Sequence, residues 1–451
     1  MDIEQQRTLD NQHFVHPWEG MADYGTQERT FAQSAHGIYV QDEHGRELID
    51  GPGGMWCMQI GYGRREMADA IAEQVMQTSY YSPWNMTAQP STKLAGKIAE
   101  LTPGDLNHVF FTTGGSTAVD SAIRFVHFYN NVLERPEKKI VISRQQAYHG
   151  STYLAASVSG KERDRSFMDT SAELSHFLPH VNPYRRADGQ SIEDFCTEKV
   201  NDLEQAILEL GAHKVGAFIA ESILASGGVV IPPPGYHQRC LEVCRKYDVL
   251  YISDEVVTAF GRLGHWFASE AVFGVQPDII TSAKGLTSGY LPLGACIVSD
   301  RLIQDLHGKK ATFSNGFTYS AHPVSCAAAL KNIEIMEREN LMQHVQDITP
   351  HFQQRLEQLR QLPLVCDVRG AGLIGCVECS LEDGAGTLKQ DQELGYQIDE
   401  ECQKLGLIVR PINNMCVFSP PLIITPEQIN TMMDLLEQGI RNVMTKLGVA
   451  G

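Results

Sequence analysis

The sequence predicts an α/β protein: a large central domain built on a mostly parallel sheet, with a smaller α+β domain assembled from both ends of the chain. Three observations carry this. From about His108 to Asp300 short apolar runs alternate with helical patterns, the arrangement of strands and covering helices in a parallel sheet. Single charged residues stand where several of those runs end, at Glu221, Asp254 and just past Ser282. The flanks read differently, with hairpin-like alternation before residue 60 and long helical patterns after Ala321.

In chain order, Gly37–Asp50 is two alternating runs around a turn containing Gly45, hence a β-hairpin. The strands of the central part are His108–Thr113, Lys139–Ser143, Val215–Ala220, Leu250–Ser253, Ile279–Ser282 and Leu293–Val298. Helices are expected at Ser116–Leu133, Leu203–Leu210 and Gly235–Tyr247. Beyond Ala321 a long helix leads to Val365–Cys379, a further helix and Leu407–Val417. Thr425-Pro426-Glu427-Gln428 opens the last helix, with an N-cap threonine, proline at the first helical position and glutamine closing a capping box. The expected division is residues 1–60 and 326–451 for the small domain, around 61–325 for the large one.

Composition narrows the function. With 451 residues, 43% hydrophobic and 20% charged, the chain has the make-up of an ordinary globular enzyme. A formal charge of −18 repels phosphate backbones, which argues against nucleic acid as a partner. The first residues, Met1-Asp2-Ile3-Glu4, form neither a basic nor an apolar leader, and no apolar run approaches the ~18 residues of a membrane span. A cytoplasmic location is expected.

Eleven scattered cysteines suggest reduced thiols. Two groupings resemble metal ligands. Cys376 and Cys379 lie in an apparent strand, where residues three apart face opposite sides and cannot share an ion. His237, Cys240 and Cys244 share a helix face, but a small amphipathic core position explains them without a fourth ligand. No metal is expected.

The chemistry gathers at the strand ends. Phe110-Phe111-Thr112-Thr113-Gly114-Gly115-Ser116 places two glycines and a hydroxyl between a strand and a helix, where free backbone N–H groups and the helix dipole favour an anion. It lacks the lysine of a P-loop and the G-x-G-x-x-G spacing of a dinucleotide site. Tyr148 in Ala147-Tyr148-His149-Gly150 follows another strand and presents either a stacking face or a loop anchor. Glu221, Asp254 and Lys284 join them at one sheet edge, where ligands of open α/β sheets bind. A buried lysine paired with a buried carboxylate suits pyridoxal phosphate, because desolvation frees the amine of its proton and the carboxylate keeps the pyridine nitrogen protonated. Capping of unrelated strands would produce the same two segments, so the surrounding motifs decide.

Those motifs, with Phe317-Thr318-Tyr319-Ser320-Ala321-His322-Pro323, resemble the class III pyridoxal phosphate aminotransferases of fold type I, from about His16 to the last helix. The resemblance implies a large domain with a mostly parallel seven-stranded sheet. It implies Lys284 as Schiff-base lysine and proton shuttle, Asp254 at the pyridine nitrogen, Val256 and Tyr148 on the two ring faces, and Gly115 and Ser116 at the phosphate, with Glu221 alongside. Thr318 would reach the phosphate of a neighbouring subunit, implying a homodimer or a tetramer with composite sites. Ser226 stands where ornithine- and 4-aminobutyrate-type enzymes carry a second glutamate. Ile231-Pro232-Pro233-Pro234-Gly235-Tyr236 and Gly54-Met55-Trp56-Cys57 are similar to the ω-amine:pyruvate branch. That places Trp56 in the substrate pocket and makes Arg410, in Leu407-Ile408-Val409-Arg410-Pro411, the mobile arginine for the keto-acid carboxylate. Two positions depart from the family pattern: Thr117 replaces an acidic residue and Ser222 a proline.

The expected activity is transfer of an amino group from an ω-amine or primary amine, such as a diamine, β-alanine or an aryl-alkyl amine, to a keto acid such as pyruvate. A decarboxylating transaminase or a 1,2-aminomutase would use the same scaffold. A non-catalytic pyridoxal phosphate-binding regulator is the alternative from another class, but it would carry a DNA-binding domain for which the length leaves no room.

Overall fold

Fifteen strands and their covering helices are defined in the computed structural model, which describes residues 2–381 and 387–449. The strands are β1 (Ala32–His36), β2 (Tyr39–Asp42), β3 (Glu47–Asp50), β4 (His108–Thr112), β5 (Ile140–Arg144), β6 (Ser175–Leu178), β7 (Val215–Glu221), β8 (Leu250–Asp254), β9 (Ile279–Ser282) and β10 (Gly294–Val298). They continue with β11 (Val365–Ala371), β12 (Ile374–Cys379), β13 (Leu407–Ile408), β14 (Arg410–Ile412) and β15 (Met415–Phe418).

Seven of them form the central sheet in the order β4-β10-β9-β8-β7-β5-β6. β9, β8, β7, β5 and β6 run parallel, and β10 lies antiparallel to both β9 and β4. The carboxyl ends of β4, β5, β7, β8 and β9 therefore share one edge. Every residue of β7 and β8 is buried, as expected of parallel strands covered on both faces. Alternation along them feeds two layers. Ala217, Ile219 and Ile252 pack with Val119, Ile123 and Val126 of the helix Gly115–Val132. Phe218, Ala220 and Tyr251 face Leu203 and Ile207 of Ile192–Leu210 and Cys240 and Cys244 of Tyr236–Lys246. At about 1.5–3 kcal/mol per buried aliphatic side chain, these layers outweigh the surface ion pairs, which contribute ~0–1 kcal/mol each.

The flanking sequences make two four-stranded sheets, β1-β2-β3-β13 and β11-β12-β15-β14. β13 pairs parallel with β3, placing Leu407 opposite Ile49, so strands far apart in sequence share one sheet. Thr425 caps Pro426–Leu447 through the capping box read from the sequence. Among the described residues no helix is long and apolar enough to cross a membrane.

Some elements differ from the sequence reading. β6 and β1 went unrecognised because Ser-His-Phe-Leu and Ala-Gln-Ser-Ala-His lack a β-branched run. The helix expected from Leu203 begins at Ile192, after Ser191 accepts a hydrogen bond from the Asp194 N–H. Cys376 and Cys379 sit in different core clusters, on opposite faces of β12. His237 engages both ring nitrogens, Nδ1 with the Tyr251 hydroxyl at 2.7 Å and Nε2 with the Ser222 carbonyl at 3.0 Å, so it serves packing.

Arg262 joins the three parts of the chain. Its fully buried guanidinium donates to the Leu373 carbonyl (3.0 Å), the Pro420 carbonyl (2.6 Å) and the Gln59 side-chain oxygen. Burial without a carboxylate in hydrogen-bond contact lowers its pKa to about 9. Replacing Arg262 with leucine leaves three buried acceptors unpaired, and urea unfolding is expected to show a loss of about 3–5 kcal/mol.

Candidate active site

The register of β7, β8 and β9 sets the site, because Glu221 pairs with Asp254 and Asp254 with Thr281. Three strand ends thus stop level. Beyond them opens a cavity of about 410 Å³ whose lining includes Gly115, Ser116, Tyr148, His149, Asp254, Val256 and Lys284. A second cavity of about 620 Å³ shares Trp56, Tyr148, Ser226 and Lys284 with the first and adds Arg410, Lys161 and Trp18.

Asp254 is fixed on all sides. Its Oδ1 accepts from the Val256 N–H and the Thr281 hydroxyl, both at 3.1 Å, and its Oδ2 pairs with His149 Nδ1 at 2.6 Å. The other nitrogen of His149 is buried without a partner. Glu221 clamps two loops, accepting from the Tyr148 N–H at 2.9 Å through Oε1 and the Ala225 N–H at 3.1 Å through Oε2. Burial pushes its carboxyl above the usual range, and the neighbouring Asp254 charge adds to this while His149 and Arg144 oppose it.

Lys284 follows β9 in a left-handed backbone conformation with φ 38°, a strained state of the kind that collects at functional sites. Among the described residues its amine has no hydrogen-bond or ion-pair partner. Burial lowers its pKa below 10.5, against the opposing pull of Asp254 and Glu221.

The turn after β4 is a bare cradle. The helix Gly115–Val132 has Gly114 at its N-cap and no side-chain capping bond, so its first N–H groups face the cavity unpaired. A Cβ on Gly115 would lie 3.0 Å from Val256 Cγ1, and one on Gly150, where φ is +138°, 2.6 Å from Ser116 Oγ. Thr117, one of the departures, turns inward: its hydroxyl donates to the Gly114 carbonyl at 2.9 Å and receives the Thr113 N–H at 3.2 Å. The turn is closed by threonine without an acidic residue. An anion cradle, a fixed carboxylate and an unpaired amine around one cavity fit pyridoxal phosphate.

Arg410 lies 5.7 Å from the Trp56 ring centroid, and among the described residues its side chain has no ion pair. Burial lowers its pKa. Ser226 Oγ and Trp56 Nε1 are buried without partners at the same walls. Thr318 is not brought to either cavity; it is exposed, and its carbonyl receives the Tyr80 hydroxyl. His149 and Thr281 received no role from the sequence, although His149 immediately follows Tyr148 and Thr281 sits three residues before Lys284. Their importance depends on the register, which places both beside Asp254.

A level carboxyl edge with this lysine, carboxylate and cradle defines a pyridoxal phosphate enzyme of fold type I. The Aminotransferase class-III family profile matches residues 21–440. The chain is 36% identical over 433 residues to a putrescine–pyruvate aminotransferase of Pseudomonas aeruginosa, covering 95% of this chain and 94% of the relative. It is 37% identical to a mitochondrial gamma-aminobutyrate transaminase of Oryza sativa subsp. indica, covering 91% of this chain and 80% of that one. Among solved structures, an (S)-enantioselective omega-transaminase from Thermomicrobium roseum superposes with a TM-score of 0.94 at 34% identity, covering 98% and 99% of the two chains. The chain belongs to the class III aminotransferases, and is a pyridoxal phosphate-dependent enzyme.

The buried Lys284 charge carries a testable cost. Its folded pKa lies below the unfolded value, so the unfolded chain binds the extra proton and stability rises with pH between the two. Lys284→Met is expected to stabilise the cofactor-free protein at pH 7 by on the order of 1 kcal/mol. The gain should shrink as pH rises toward 10.5 and vanish above it, which thermal melts across that range would follow.

Proposed function

We propose that this chain moves the amino group of an ω-amine or other primary amine to a keto acid, with pyruvate the expected acceptor, in a ping-pong cycle. The observation that carries the reading is a pair of unpartnered cations at one cavity, the Lys284 amine and the Arg410 guanidinium. Pyridoxal phosphate, when bound, supplies a carbonyl that takes up the amino group and a ring that delocalises the electrons left on carbon.

The protein's part is to hold and to move protons. Gly115 and Ser116 would hold the phosphate, Val256 and Tyr148 the two ring faces, and Asp254 the pyridine N–H, with His149 and Thr281 keeping that carboxylate in place. Lys284 Nζ, biased toward its neutral form by burial, takes a proton from the substrate carbon and returns it at the other end of the transfer. Arg410 binds the α-carboxylate of the keto acid as a bidentate fork and withdraws when an uncharged amine enters. Trp56 and Ser226 shape the wall between them, and serine leaves Arg410 free where a glutamate would restrain it.

A homodimer completes the reading, with the cytoplasm its expected location. The support for the dimer is the exposure of Thr318, whose carbonyl receives the Tyr80 hydroxyl, and of the apolar side chains Tyr81, Trp84 and Tyr319, of which Trp84 is 89% exposed. A second copy would cover that surface and bring Thr318 to the partner's phosphate cradle. Sedimentation should show a species of twice the chain mass.

Purified protein should be yellow and should turn over only with both an amine and a keto acid. Lys284→Ala is expected to lower turnover at least ~10³-fold, and full retention would sink the proposal. Arg410→Ala should raise KM for pyruvate about 10- to 100-fold, the loss of one charge-assisted contact. Turnover without keto acid would indicate a mutase, and release of carbon dioxide a decarboxylating enzyme.

A further inference from the structure

The outer cavity holds more cations than its walls compensate. Arg29 bonds Glu19 at 2.8 Å, and Arg163 bonds Asp164 at 2.9 Å, so these two wall pairs cancel. His16 is likewise engaged, with Asp10 at 2.9 Å. What remains is Lys161 and Arg410, with Lys284 at the inner end. Lys161 is 8% exposed, and among the described residues its amine has neither a hydrogen bond nor an ion pair. Its charge lies 6.0 Å from the Tyr148 ring centroid, and Asp164 and Glu221 attract it from beyond ion-pair distance.

This placement is built. The Gly160 N–H donates to the Ala147 carbonyl at 2.9 Å and the Gln146 N–H to the Gly160 carbonyl at 3.1 Å, tying the backbone before Lys161 to the loop that carries Tyr148. The Asp164 N–H then closes on the Lys161 carbonyl at 3.1 Å, opening the short helix Glu162–Arg165. A lysine is seldom buried unless it is paired. Here no partner lies within ion-pair distance among the described residues, and the side chain lines the outer cavity.

We infer that Lys161 is a second anion anchor, and that the amine donor carries a carboxylate or similar anionic group at the end away from its amine: an ω-amino acid and not a diamine. The inference rests on the transaminase reading above. The donor's amine reaches Lys284 while its anionic tail meets Lys161, with Arg410 beside it. A diamine would instead bring a second ammonium into a cavity that already holds uncompensated positive charge. Burial lowers the Lys161 amine to about 8, Asp164 and Glu221 pulling it up and Arg163 and Arg410 pressing it down, so it still carries its charge at pH 7. An apolar residue at this position would leave the tail with Arg410 alone.

The test compares the holoenzyme with Lys161→Met and Lys161→Arg, using pyruvate as acceptor and β-alanine, putrescine or benzylamine as donor at pH 7. Wild type should prefer β-alanine to putrescine in kcat/KM. The ratio of kcat/KM for β-alanine to that for benzylamine should fall at least fivefold in Lys161→Met and recover in Lys161→Arg, which separates charge from packing. A smaller fall, or no recovery with arginine, overturns the inference. Butyrate, which has the acid group and no amine, gives a second readout through the fluorescence of Trp18 and Trp56 at the cavity wall. Its Kd should rise at least fivefold in Lys161→Met, and an unchanged Kd overturns the anchor. If no donor is converted by wild type while butyrate binding still depends on Lys161, the transaminase reading fails and the anchor stands.

Discussion

Everything at this site depends on three parallel strands ending level. Pairing of Glu221 with Asp254 and of Asp254 with Thr281 brings two carboxylates and a hydroxyl to one edge without any loop having to carry them there. Because side-chain direction alternates along a strand, a slip of one residue would turn Asp254 away from His149 and bury it among the aliphatics of a covering layer. The core resists that slip: Phe218 and Tyr251 fill one side of the sheet and Ile219 and Ile252 the other. Hydrophobic packing therefore supplies the precision that the polar groups use.

Around that edge, negative groups are saturated and positive ones are not. Asp254 has three protein partners and Glu221 has two backbone donors, whereas the amines of Lys284 and Lys161 and the Arg410 guanidinium have no ion partner among the described residues. Unpaired buried charge is costly. Anionic ligands would offset such an imbalance, and the proposed reading supplies them, a phosphate at the cradle and carboxylates at the outer cavity. The three lowered pKa values share one cause, loss of water around a cation.

Much of this was readable from the chain. The strand-end positions of Asp254 and Lys284, the Gly114-Gly115-Ser116 turn and the capping box at Thr425 are local signals, each needing only a few neighbouring residues. The mostly parallel sheet followed from its alternating elements. What stayed hidden was relational. His149 matters because β8 stops beside it, and Lys161 because of what fails to pair with it, and no short window of sequence reports either. The antiparallel direction of β10 and the edge strand β6 were invisible for a different reason, since apolar content and length say nothing about direction or about weakly patterned edges.

The strand carrying Arg410 is held at both ends. β14 pairs Arg410 with Val417 of β15, and the Val409 N–H donates to Asp399 Oδ1 at 3.1 Å, just after β13 is fixed against β3. With its backbone locked in this way, the arginine can change position only by rotating its side chain. Such rotations take picoseconds to nanoseconds when a side chain is exposed, and even slowed by partial burial they need no hinge and no domain closure. On the proposed reading, exchange of amine donor for keto acid then asks for no movement of the scaffold, only for a new rotamer of one side chain.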